Sequence, residues 1–141
     1  MATMTNFMLS PTRRMHVDIY NKKPMVSIRE YYNNKDGEMM PGIKGLTMMP
    51  DQFNILQSGI SAIDNAVTKG GEDNPVLDLS KSRKVSVSSY RGSVLIHFRE
   101  YYEKDGVTSP GKKGIALTLE QWKLAKEHMP VISKEIEQLL S

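Results

Sequence analysis

The chain has 141 residues, of which 39% are hydrophobic and 25% are charged, and its formal net charge is +3. This length suffices for one compact core or two small fused ones, and no apolar run approaches the ~18 residues of a membrane-spanning helix. The sequence contains no Cys, which fits an intracellular, reducing compartment and excludes disulfide frameworks, thiolate nucleophiles and cysteine zinc sites.

The first residues, MATMTNFMLSPTRRM, contain Arg13 and Arg14 but no acidic residue. Such a composition suits a short organellar presequence, but the segment lacks the continuous apolar block of a secretory signal. We expect an ordinary frayed tail here, with the presequence as the alternative.

A duplicated segment dominates the rest of the chain. Residues 28–45 read IREYYNNKDGEMMPGIKG, and residues 98–114 read FREYYEKDGVTSPGKKG. When 16–67 is aligned with 86–136, identical residues also pair outside these motifs, for example Val17 with Val87 and Gln52 with Gln121. Because the order of elements repeats as well, the sequence predicts one structural unit present twice.

Each copy predicts an α+β unit. Segments such as VSVSSY and SVLIHFREYY are rich in β-branched and aromatic residues and are separated by Gly, Asp and Pro turns, which indicates an antiparallel sheet of about four strands. A helix follows; in the second copy Thr118 and Gln121 have the spacing of a capping box. We expect a first repeat over 13–67, a linker over 68–80 with little to pack, and a second repeat over 81–141.

Both predicted helices carry a narrow apolar stripe at helical spacing, Phe53, Leu56, Ile60, Ile63 and Val67 in one and Trp122, Ala125, Met129, Ile132, Ile136 and Leu139 in the other. One sheet with one helix makes a thin core. We therefore predict that the two helices pack together as an intrachain pseudo-dimer, which makes the protein a monomer. Two alternatives stay open: each stripe covers only its own sheet, or chains pair as a homodimer.

Positive charge is concentrated in the predicted sheets. Residues 13–45 carry a net +3 and residues 81–114 a net +5, whereas the predicted helices and linker are acidic. Tyrosines lie among these basic residues. A basic sheet with aromatic side chains is typical of a surface for single-stranded nucleic acid, because bases need a flat partner and the backbone needs neutralising charge. Lysines and arginines scattered for solubility are the alternative.

The segment YRGSVLIHFREYYEKDGVTSPGKKGIALTLEQWKLAKEH resembles the core domain of the positive cofactor four family of transcriptional coactivators, and YNKKPMVSIREYYNNKDGEMMPGIKGLTMMPDQF resembles it again. The resemblance implies a curved four-stranded sheet followed by a helix, homodimers formed through that helix, and two channels for single-stranded DNA. It also implies a nuclear location, with an organelle or another intracellular compartment as the alternative.

The resemblance further implies nucleic-acid contacts in both copies. In the second copy the matching residues are Tyr90, Arg91, Arg99, Tyr102, Lys112 and Lys113; in the first they are Tyr20, Lys23, Arg29, Tyr32 and Lys44. Asn21 and Ile43 replace basic residues, and Ser93 stands where Lys is usual. We therefore expect the first channel to be the weaker one.

Neither enzymatic chemistry nor a cofactor is expected. His16, His97 and His128 lack ligand spacing, so no metal site is expected, and Gly42-Ile43-Lys44-Gly45 lacks the pattern of a phosphate loop. The sequence and the resemblance together predict a tandem single-stranded-DNA-binding protein that acts as a transcriptional coactivator or in handling melted DNA, and the resemblance implies the transcription machinery as a further partner. RNA stays open as a second ligand, and no membrane partner is expected. The alternative is a module whose basic sheet recruits acidic activation segments.

Overall fold

The computed structural model describes residues 2–141, with side chains from Thr5 onward. The first unit contains β1 (Ala2–Met8), β2 (Arg13–Tyr20), β3 (Lys23–Asn33), β4 (Met39–Met48), α1 (Pro50–Ser58) and α2 (Ile60–Thr68). The second contains β5 (Leu77–Asp78), β6 (Arg83–Tyr90), β7 (Ser93–Lys104), β8 (Val107–Thr118) and α3 (Leu119–Leu140). The predicted α+β fold with two four-stranded units is confirmed.

All eight strands belong to one sheet in the order β1-β2-β3-β4-β8-β7-β6-β5. Pairing within each unit is antiparallel. Two-residue turns join β2 to β3 and β6 to β7, and their residues have positive φ, 50° at Asn21 and 50° at Arg91. Such turns match the natural twist of a hairpin. The two units meet where β4 and β8 share a single bridge between Lys44 and Gly114.

One hydrophobic core lies between the sheet and the helices. Alternate strand residues such as Met15, Val17, Ile96 and Phe98 point into it and are fully buried, as is Trp122 of α3. The alternation follows from the two-residue period of a strand. The core draws residues from both units, so neither sheet has to be covered by its own helix alone.

The helices of the two units pack together, as predicted. Trp122 of α3 donates a hydrogen bond from Nε1 to Oδ1 of Asp64 in α2 at 2.9 Å, and Lys126 Nζ lies 3.1 Å from Oδ2 of the same carboxylate. At the start of α3 the predicted capping box is present, because Gln121 N donates to Thr118 Oγ1 and Thr118 N donates to Gln121 Oε1.

Two arginines cross between the units in matching ways. Arg13 Nη1 donates to the Ala116 carbonyl at 2.6 Å and to Gln121. Arg83 Nη1 donates to the Thr47 carbonyl at 2.6 Å and to Gln52. The interface therefore has approximate twofold symmetry, although both halves belong to one chain.

The first unit has two helices instead of the single one expected, because the helix is interrupted at Gly59. A Cβ at Gly59 would lie 2.5 Å from Leu77 Cδ2, since β5 of the second unit packs against the interruption. At the equivalent contact between β1 and α3, Phe7 stacks on His128, with ring centroids 3.8 Å apart. There α3 continues without interruption for 22 residues.

Two expectations about connecting segments were wrong. The expected frayed tail contains β1, which pairs antiparallel with β2; the pairing is made by backbone groups and therefore does not require an apolar pattern in the sequence. Met1 lies outside the described residues. The expected linker contains β5, and Leu79 is only 1% exposed, so its end packs into the core. Between residues 2 and 141, no helix is both long and apolar enough to cross a membrane.

Candidate nucleic-acid interface

The candidate interface is the sheet face that points away from the core. On β2 and β3 this face carries the residues that alternate with Met15, Val17, Val26 and Ile28, and the second unit repeats the arrangement. Its predicted residues fall into two groups. Arg29 and Arg99 are held by backbone carbonyls, whereas Arg91, the tyrosines and the lysines are exposed.

Arg29 and Arg99 occupy equivalent positions in the two units. Arg29 Nη1 donates to the Gly42 carbonyl at 3.0 Å, and Arg99 Nη1 donates to the Gly111 carbonyl at 3.0 Å. Each side chain reaches its carbonyl partner by crossing the adjacent strand. Because the strand carries Gly45 or Gly114 at the crossing, there is no Cβ to block it; a Cβ at either position would approach the arginine Cγ to 2.9 Å.

The four predicted tyrosines present large free surfaces. Tyr20 and Tyr90 end β2 and β6 with 56% and 60% exposure, and Tyr32 and Tyr102 are 54% and 53% exposed. The guanidinium of Arg91 lies over the ring of Tyr90, 5.3 Å from its centre, which places a cation at one face of the ring. These rings therefore remain available to stack on an unpaired base.

Irregular pairing sets the direction of Tyr32 and Tyr102. The register shifts between Arg29 and Tyr31, and again between Arg99 and Tyr101. Tyr102 then lines a cavity of about 210 Å³ together with Lys112 and Lys113. Arg99 lines a separate cavity, so the second unit's predicted residues surround two neighbouring depressions instead of one.

The lysines lie at the rim. Lys23, Lys44, Lys112 and Lys113 are exposed, and none of them takes part in the ion pairs found among the side chains of residues 5–141. An exposed, unpaired ammonium group is suited to neutralise a phosphate because it gives up no internal partner.

The depression of the first unit, about 440 Å³ in volume, has a polar floor that the sequence reasoning did not include in the site. We call this set of residues the first floor: His16, Asp18, Ser27, Tyr31 and Thr47. His16 Nδ1 lies 2.9 Å from Asp18 Oδ2, and His16 Nε2 lies 2.9 Å from the Tyr31 hydroxyl. Burial lowers the pKa of His16, although the Asp18 carboxylate opposes this shift. Burial likewise raises the pKa of Tyr31.

The floor of the second unit differs in charge. Ser88 stands in place of Asp18 and lies 2.7 Å from His97 Nε2; burial, and then the nearby Arg99, lower the pKa of His97. Glu72 and Asp73, which precede β5, line this depression of about 370 Å³ beside Arg99. The first unit thus has a buried acid in its floor, and the second has exposed acids at its margin.

Tyr31 and Tyr101 are the clearest omissions from the predicted site. Each lines a floor on the same side as the seated arginine. The two-residue period of a strand predicts this shared side, since Arg99 and Tyr101 are two residues apart.

Among residues 5–141, no three His, Asp or Glu side chains are grouped as a metal site would require.

The fold and the site together define a class of proteins, namely those built from a sheet-and-helix unit whose basic face carries exposed tyrosines. The family model described as Transcriptional Coactivator p15 (PC4) matches residues 7–59 and again 77–128. The chain belongs to this family and contains two copies of its domain.

Curated relatives carry related names. The chain is 44% identical over 68 residues to the RNA polymerase II transcriptional coactivator KIWI of Arabidopsis thaliana, a match that covers 48% of this chain and 64% of the relative. It is 43% identical to KELP of the same plant, over 45% of this chain and 38% of that protein. It is 34% identical to SUB1 of Saccharomyces cerevisiae, over 60% of this chain and 26% of that protein. The chain thus spans less than two thirds of each relative's length.

A crystal structure of a MoSub1–ssDNA complex is similar to one part of the chain. It has 34% sequence identity and a TM-score of 0.43, and the match covers 49% of this chain and 89% of that one.

Proposed function

We propose that this protein binds single-stranded DNA on the outer face of its sheet and acts as a coactivator in RNA polymerase II transcription, in the nucleus. The coactivator role is supported by the family and by the names of the relatives. RNA is a second candidate ligand, since stacking and phosphate neutralisation serve both nucleic acids.

One observation carries the binding proposal. In both units an arginine is fixed to a backbone carbonyl beside half-exposed tyrosines and unpaired lysines. Stacking is worth ~1–3 kcal/mol per base, and it needs bases that a duplex keeps stacked on each other. The face therefore favours a single strand over its duplex.

The direct test is a fluorescence titration of the whole chain with a labelled strand of about 20 nucleotides and with its duplex, at two salt concentrations. We expect the strand to bind more tightly and its affinity to fall with salt, by ~0.7 log units per decade for each neutralised phosphate. Equal affinity for strand and duplex, or no binding, would contradict the proposal. Tight binding of an acidic peptide at the same face would instead favour the recruitment of acidic activation segments.

A matched pair of double variants measures the two units separately. Arg99→Ala with Lys113→Ala should weaken binding of a short strand more than Arg29→Ala with Lys44→Ala. The reason is that Arg91 and Lys112 of the second unit correspond to Asn21 and Ile43 in the first, and that buried Asp18 repels phosphate more than the exposed acids of the second unit do. Equal losses, or a larger loss from the first-unit variant, would show that the second channel is not dominant.

A further inference from the structure

Resting on the proposed function, we infer that the first unit recognises the methyl group of thymine through the exposed side chain of Ile43. The second unit has Lys112 at the corresponding position and binds without this preference. Uracil lacks only this methyl group, so the first unit favours DNA over RNA at the base that it contacts. The two units then differ in the bases they recognise as well as in charge.

The first point is the exposure of Ile43. The residue is 79% exposed, which is the highest value among the exposed large hydrophobic residues of the part of the chain with described side chains. An apolar side chain in water is stabilised when an apolar group of a ligand covers it. Ile43 therefore has an unused capacity for an apolar contact.

The second point is that Ile43 belongs to an apolar patch. Tyr32 and Met40, which are 54% and 38% exposed, pair across β3 and β4, so their side chains are neighbours. A Cβ at Gly42, the residue before Ile43, would lie 3.8 Å from Tyr32 Cδ1. A base stacked on the tyrosine thus has apolar side chains at its edge.

The second unit supports this placement. Tyr102 and Lys112, which correspond to Tyr32 and Ile43, line the same cavity of about 210 Å³. The side chain at this position therefore lies beside the tyrosine. It is charged in the second unit and apolar in the first.

The third point is the charge around Ile43. Ile43 lines a cavity of about 320 Å³ where the two units meet, together with Arg29 and with Lys113 of the second unit. Glu100 also lines this cavity, but it forms an ion pair with Arg83 at 3.3 Å. The cations suit the phosphates of a bound strand, whereas a phosphate over the isoleucine would lose water without gaining a partner. A base therefore faces Ile43.

Base chemistry then selects thymine. Among the four DNA bases it alone carries an apolar substituent, the C5 methyl group, which apolar side chains contact in DNA recognition. The methyl group lies in the plane of the base, so in a base stacked on Tyr32 it points sideways, towards the residues beside the ring. Covering one methyl-sized group is worth about fourfold in affinity. A uracil on the same ring leaves Ile43 without this contact.

The test compares two DNA strands of about ten nucleotides, one of thymine and one of uracil, which differ only in the methyl groups. The protein carries Arg99→Ala and Tyr102→Ala, so that the first unit contributes most of the binding, and circular dichroism checks that it is folded. The measured quantity is the ratio of the two affinities, because a general stacking advantage of thymine is the same in every variant. We expect Ile43→Ala, which keeps the charge, to lower this ratio about fourfold.

Two matched variants complete the test. Ile43→Lys, which copies the second unit, should lower the ratio by a similar factor and steepen the salt dependence by ~0.7 log units per decade, because one more phosphate is neutralised. Val131→Ala removes a 54% exposed apolar residue from α3 and should leave the ratio unchanged.

A ratio that is the same in the parent, Ile43→Ala and Ile43→Lys would overturn the inference while leaving the proposed function intact. An unchanged ratio together with lost binding of an acidic amphipathic peptide in Ile43→Ala would also overturn it, and would assign the patch to a protein partner. Failure of both strands to bind the unsubstituted protein would contradict the proposed function itself.

Discussion

At the scale of single residues, the repeated PGIKG and PGKKG segments have a steric explanation. Gly45 and Gly114 let an arginine side chain lie across the strand, and Gly42 and Gly111 accept its hydrogen bond through their carbonyls. The same two requirements apply in each unit. The segment is therefore repeated because each copy holds its own arginine.

The exposed tyrosines and the lysines should have separable effects on binding. Tyr90→Ala and Tyr102→Ala should each weaken single-strand binding by ~1–3 kcal/mol, because a stacking surface is lost, and leave the salt dependence almost unchanged. Lys113→Ala should instead lower the salt slope by a little under one unit, because one phosphate contact is lost. Titrations at several salt concentrations measure both quantities. A tyrosine variant that is unfolded by circular dichroism would show a core role instead.

His16, which is buried, and His97, which is half-buried, should make the stability of the protein depend on pH. The folded protein lowers the pKa of His97 below its ordinary 6.5, chiefly by burial. Well above pH 6.5, His97 is neutral in both the folded and the unfolded state, so it does not make the free energy of unfolding depend on pH. As pH falls through this value, the unfolded chain takes up a proton that the folded chain resists, so stability falls.

The melting temperature should therefore decrease between about pH 7.5 and about pH 5.5, and less so in His97→Gln. Glutamine still offers Ser88 a hydrogen-bond partner but does not titrate in this range. Differential scanning calorimetry at both pH values gives the comparison. An identical decrease in the variant would mean that His97 does not contribute to it.

At the scale of elements, the contact between Leu77 and the helix interruption at Gly59 holds β5 of the second unit against the first. Gly59→Ala should destabilise the protein by about 1 kcal/mol, because overpacking exceeds the gain in helix propensity. Urea unfolding measures this. Ser58→Ala, an exposed change one residue away, is the control and should have little effect.

A double-mutant cycle sharpens this test, because Leu77→Ala removes the side chain that the new methyl group would strike. In that background Gly59→Ala should be close to neutral or stabilising. A single Gly59→Ala variant as stable as its parent would refute the steric explanation.

Sequence periodicity predicted the strands, the capping box and the paired apolar stripes, since each depends on residues close in the chain. It did not predict the interruption at Gly59, where Leu77 of the other unit packs, nor the strand formed by residues 2–8, whose pairing with β2 needs no apolar pattern. The polar first floor was also missed, because His16, Asp18 and Tyr31 come together only through strand pairing.

At the scale of the whole molecule, the two arginine contacts made by Arg13 and Arg83 close the interface within one chain. We therefore expect a compact monomer near the chain mass of 15.9 kDa. Light scattering at micromolar concentration tests this. A stable species of twice that mass would favour pairing between chains.

Duplication within one polypeptide also affects whether the molecule can distinguish the two directions of a bound strand. In a twofold-symmetric homodimer, turning the whole molecule by half a turn on a bound strand produces the same complex, so the two orientations have the same free energy. Here Asp18 of the first unit corresponds to Ser88 of the second, and the helix pair α1 and α2 corresponds to the single α3. The two halves of the molecule are consequently different, and each orientation on a directional polymer is a different complex with its own free energy.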